Sequence, residues 1–225
     1  MNNYKIFGLC FCAFILITGC INNSKLSPNI NKYDLNLINQ DATLDPNIPQ
    51  ELKKTFFAVY PKMVRDFNEN APKEIEVLID TSYEGVAYAH SNKIVISSNW
   101  LHKMPKDFDV ITHEAMHLVQ SYPNGSGPGW LTEGIADYVR AVYGVSNAEG
   151  GWFVPDYAEN NHYQNSYRIT ARFLIWATEN YDKNLVFKLD KDLRNETYND
   201  SLWKEYTGKT LDELWTAYSG DPTIS

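Results

Sequence analysis

Glu74-Ile75-Glu76-Val77-Leu78-Ile79-Asp80 alternates and is β-branched; Val86 to His90 and Lys93 to Ser97 follow it, separated by Ser91-Asn92. The first segment predicts a strand, and the other two predict a hairpin around a short turn. After Pro105 the apolar spacing becomes helical, with helices expected at about 107–121, 130–143, 165–180, 183–194 and 210–218. Residues 122–129, rich in Pro, Gly and Asn, form a loop between the first two, and 144–164 form a longer one. Upstream of the strands, Leu52, Phe56, Val59, Met63, Val64 and Phe67 lie at helical spacing within Gln50 to Asn68. Pro61 is the point where that helix should kink or restart. A small mixed or antiparallel sheet followed by a mainly helical half is the α+β pattern.

The folded domain is expected over residues 49–225. Residues 20–48 are rich in Asn and Ser and read as a tether. Met1 to Gly19 carries one charge, Lys5, and the apolar run Ile6 to Ile17, which suits the h-region of an export signal. It ends in Ile17-Thr18-Gly19-Cys20, similar to a bacterial lipobox in which the Cys becomes the lipidated first residue. Cys10, Cys12 and Cys20 are the only cysteines, so the domain has no disulfide to rely on. This reading puts the protein at a bacterial cell envelope, membrane-bound only through lipid on Cys20.

Composition excludes other classes. Apolar residues make up 44% of the 225 and charged residues 21%, as in ordinary globular chains. The net charge of -8 opposes binding to nucleic acid, and no nucleic-acid partner is expected. Aromatic residues reach 14%, which fits either a heavily aromatic core or a groove for an extended polymer.

Chemistry concentrates in Ile111-Thr112-His113-Glu114-Ala115-Met116-His117-Leu118. His113 and His117, four apart on a helix, leave the same face one turn apart, the spacing of two zinc ligands. Glu114 lies beside them, where a general base for a zinc-bound water is needed. A metzincin third ligand is excluded, because Gln120 and Pro123 occupy the positions of its Gly and His. A Glu on the next helix can serve instead. Glu133 is the candidate, and Asp137, four residues on, is the candidate hydrogen-bond partner of a ligand imidazole. Three protein ligands leave the fourth zinc position open, as catalysis requires.

His113 to Arg140, the block Tyr167-Arg168-Ile169-Thr170-Ala171-Arg172-Phe173-Leu174, and Leu193-Arg194, Tyr198, Gly208-Lys209 and Leu214-Trp215 together resemble the basic secretory protease family of plants and bacteria. The likeness covers about residues 50–218. It implies a zincin-like fold and a secreted gluzincin-type metallopeptidase with one zinc on His113, His117 and Glu133 and with Glu114 as base. It also implies, by analogy, that the hairpin edge strand pairs with extended substrate. One departure is the acidic charge, which leaves the family's basic surface behind.

The expected reaction is peptide hydrolysis on a protein or glycoprotein substrate by zinc-activated water. Tyr167 is the first candidate to stabilise the oxyanion, with His162 and Tyr163 behind it, while Arg168 and Arg172 are expected to pair with acidic neighbours. Two other classes stay open: a non-catalytic envelope lipoprotein that binds glycan or protein, and a zinc amidase or aminopeptidase acting on peptidoglycan or glycoprotein.

Overall fold

A computed structural model describes residues 32–225; the leader 1–19 and Cys20 lie outside them. Among the described residues no helix is long and apolar enough to cross a membrane.

The architecture is α+β, a four-stranded sheet followed by helices, in the order β1-β2-β4-β3 across the sheet. Strand β1 (Asp34–Asn39) runs parallel to β2 (Glu74–Asp80), with Leu35 opposite Ile75 and Leu37 opposite Val77. Helix α1 (Asn47–Asp66) makes the crossover between these parallel strands. Strand β4 (Lys93–Ser97) pairs with β2 in parallel and with β3 (Ala87–His90) in antiparallel fashion. Its central place explains the unbroken run Ile94-Val95-Ile96, all buried. Ser91 takes a φ of 57°, the left-handed conformation that a two-residue hairpin turn demands. Among the described residues that leaves β3 at the sheet edge, with one side unpaired.

Two sequence expectations change here. The tether reading of 20–48 fails from Asp34 onward, because Leu35 and Leu37 extend the sheet and Leu44 and Ile48 join the core. Helix α1 begins at Asn47 and runs through Pro61 without ending there. Pro61 is buried in the helix, so the loss of one backbone hydrogen bond is outweighed by packing on both sides of it.

Ser97 accepts a hydrogen bond from the Trp100 amide and starts the short helix α2 (Ser98–Lys103). Helix α3 (Val110–Gln120) is buried at every position but His117, and packs on α1 and on strands β3 and β4. Helices α4 (Gly129–Tyr143), α5 (Tyr167–Asn180), α6 (Leu185–Arg194), α7 (Ser201–Thr207) and α8 (Leu211–Gly220) build the second half. Their core is aromatic: Phe173 lies within 5.4–6.3 Å, ring to ring, of Trp176, Trp203, Trp215 and Tyr218. Part of the unusual aromatic content is spent there. Helices α4 and α5 meet at Gly134, where a Cβ would stand 2.2 Å from Thr170 Cγ2. Only glycine permits that approach.

Candidate active site

Because α3 is buried nearly all round, it is held on every side, and its polar residues are set by the core rather than by solvent. Its C-terminal end is tied down. Ser121 turns left-handed with φ 45°, and its amide donates to the His117 carbonyl. Arg194 on α6 donates to the Val119 and Gln120 carbonyls and forms a buried ion pair with Asp190. Tyr122 donates to the same Asp190 at 2.8 Å.

His113 and His117 leave one face of α3, and their Nε2 atoms stand 3.2 Å apart. Glu133 enters from the second turn of α4, its Oε2 3.3 Å from His113 Nε2 and 3.5 Å from His117 Nε2. The three ligand atoms of His113, His117 and Glu133 thus converge on one point, as the sequence spacing anticipates. On the outer side of the rings, His113 Nδ1 meets Asp137 Oδ1 at 2.6 Å. His117 Nδ1 meets Gln120 Oε1 at 2.7 Å, a partner that sequence reasoning noted only as a departure from another motif.

With each Nδ1 facing an acceptor, each Nε2 presents a lone pair, and the two lone pairs face a carboxylate oxygen. Three acceptors this close repel one another unless positive charge lies among them. A proton on one ring meets the need in part; a divalent cation meets it for all three, and two imidazoles with one carboxylate is a donor set that suits zinc. The same tension appears in the titration of the groups. Burial works against charge on His113, but hydrogen bonds to Asp137 and Glu133 outweigh it and raise its pKa to about 10. For Glu133 burial also favours the neutral form, and the two imidazoles outweigh it, holding the carboxyl well below its usual range.

Glu114 lies between the two histidines in sequence and is buried. Burial raises its pKa above the usual carboxylate range, against the opposing pull of His113 and His117. It lines a cleft of about 940 Å³ together with His113, His117, Glu133 and Asp137. Strand β3 supplies one wall through Ala87, Tyr88 and Ala89, and Trp100, Met104 and Trp152 belong to the lining as well. A further set of rings, Tyr88, Trp100, Trp152 and Tyr167 among them, lines this cleft.

Tyr167 is on the cleft, 54% exposed, its ring stacked over His113 at 6.2 Å between centroids. The negative charge of Glu133, and then partial burial, raise its pKa, so the phenol keeps its proton. It gets there on unusual backbone. Ser166 has φ 65° and ψ 179°, and Tyr167 has φ 51°, two consecutive non-glycine residues in sparsely populated regions. The other two oxyanion candidates lie elsewhere. His162 caps the 3-10 turn Tyr163–Asn165, and Tyr163 is buried in the aromatic core, donating to Asp212 at 2.9 Å. Arg172 reaches Asp156 at 3.5 Å, as an acidic pairing requires, whereas Arg168 lines the cleft and donates to the Phe153 carbonyl instead.

No curated protein and no solved structure matches the chain. One family, described as peptidase of plants and bacteria, matches it over residues 21–218. The match takes in every residue of the cleft and most of the chain, and the protein belongs to this family of peptidases.

Proposed function

We propose that the chain is a zinc metalloendopeptidase of gluzincin type, with one zinc ion held by His113, His117 and Glu133. The observation that carries this reading is the convergence of those three acceptor atoms on the lining of an open cleft, next to a buried carboxyl. When bound, zinc supplies a Lewis acid that polarises a carbonyl and acidifies water to near neutrality.

The chain's own residues carry the rest. Glu114, buried and facing the cleft, takes a proton from the attacking water and later delivers it to the leaving amine. The water oxygen bonds to the acyl carbon, the C–N bond breaks, and the carboxylic acid and amine leave as products. The elevated pKa of Glu114 suits both halves of that transfer, since a carboxyl that holds its proton more readily is the better base and can still act as an acid. Tyr167, protonated and stacked over His113, donates its O–H to the oxygen on which negative charge develops. The unpaired side of β3 offers backbone N–H and C=O groups to an extended substrate, adding it as a further strand. Asp137 holds the ring of His113 and raises its basicity as a ligand.

The same proposal assigns protein or glycoprotein as substrate and a bacterial envelope as location, with lipid on Cys20 as the anchor. The support for the anchor is the run Ile17-Thr18-Gly19-Cys20. Digestion of peptides blocked at both ends, followed by mass spectrometry, tests the endopeptidase reading. Internal cleavage by the wild type supports it, and no cleavage of the blocked peptides, or cleavage only of unblocked counterparts from a terminus, overturns it.

A further inference from the structure

The two histidines are braced differently. His113 meets a carboxylate, whereas His117 meets the side-chain amide of Gln120, which is only 1% exposed. That amide has a second partner: Gln120 Nε2 donates to the Thr132 carbonyl at 2.9 Å. A carbonyl can only accept, so it fixes which end of the amide faces which neighbour. The amide oxygen must then point at His117, and the ring must answer with an N–H at Nδ1. The lone pair is left on Nε2, facing Glu133.

Thr132 is also the residue immediately before Glu133. Helices α3 and α4 are joined in sequence by the segment 121–128, in which Ser121 and Gly125 both have positive φ. Gln120 bridges that gap directly, from the ring of one ligand to the backbone beside another. Its own backbone is seated as well, because the Gln120 carbonyl accepts from Arg194 Nη1 at 3.2 Å.

We infer that Gln120 is a positioning residue for the metal site: it locks the tautomer of His117 and ties that ring to the α4 backbone that carries Glu133. The inference rests on the metal reading above and adds a residue with no role in it. A carboxylate at this position would keep the acceptor for His117 but lose the donor to Thr132, whereas a thioether would lose both.

The test measures zinc affinity of the full mature chain, by competition with a chromophoric chelator, for wild type, Gln120→Met and Gln120→Glu. Melting of each metal-stripped protein is followed in parallel. Gln120→Met should bind zinc about 10–100-fold more weakly, the range typical of residues that orient a ligand. Gln120→Glu should recover much of that affinity even though its metal-stripped melting temperature stays below wild type. A purely structural role would make affinity follow melting temperature in both variants, and that result overturns the inference. So does Gln120→Met binding zinc as tightly as wild type. A wild type that binds no zinc is a different failure, which removes the metal reading itself and this inference with it.

Discussion

Replacing Ser166 with glycine should stabilise the protein while lowering its activity. Ser166 sits at φ 65° and ψ 179°, a region that is essentially reserved for glycine. Holding a residue with a Cβ there costs on the order of 1–3 kcal/mol. Glycine removes that strain but loses about 0.5–1 kcal/mol more in backbone entropy on folding. The net gain is therefore about 1 kcal/mol, which for a domain of this size is a rise in Tm of about 2–4 °C. Ser166→Ala keeps the Cβ and should leave Tm near wild type, separating backbone strain from any effect of the hydroxyl. Activity should move the other way. Tyr167, at φ 51°, depends on its neighbour to hold the phenol over His113, and a flexible glycine frees that backbone. Calorimetry of the three proteins, with kcat and KM on one peptide, checks both halves. The reasoning is refuted if Ser166→Gly melts below wild type, or if it melts higher with an unchanged kcat.

Gly134→Ala would drive a methyl into Thr170 at the α4–α5 contact, costing about 1–3 kcal/mol and shifting the turn that carries Glu133; thermal melting and zinc titration should both register it. Asp137→Asn keeps the shape but loses the charge that supports His113, and zinc affinity or peptidase rate should fall about 10–100-fold with the fold intact. Unchanged values would reduce Asp137 to a core hydrogen-bond acceptor. Cys20→Ala should move the protein from the membrane fraction to the soluble one; retention on the membrane would end the lipid-anchor proposal.

The candidate site was legible because helical spacing alone puts His113 and His117 on one face, and the same periodicity pairs Glu133 with Asp137. The helical half was legible for a similar reason, and its limits moved only slightly: α5 begins at Tyr167 and α6 at Leu185. Strand β1 was not, since Asp34-Leu35-Asn36-Leu37-Ile38-Asn39 sits in an Asn-rich stretch and becomes a strand only by pairing with β2, forty positions along the chain. The short helices α2 and α7 span six and seven residues, too few to establish a periodicity. The roles of Gln120 and Gly134 were hidden for a different reason. Their roles depend on which neighbour the fold brings against them, Thr132 in one case and Thr170 in the other. The strain at Ser166 and Tyr167 leaves no mark in residue type, as neither is a glycine.

The most direct test joins metal content to chemistry in one pair of proteins, the wild type and Glu114→Gln. The substituted amide keeps nearly the volume of the native carboxyl but cannot take a proton from water. Elemental analysis should find one zinc per chain in both, and a doubly blocked peptide should be cut internally by the wild type alone. A wild type without zinc that gains none on addition, or a Glu114→Gln variant that cleaves at the wild-type rate, would contradict the account.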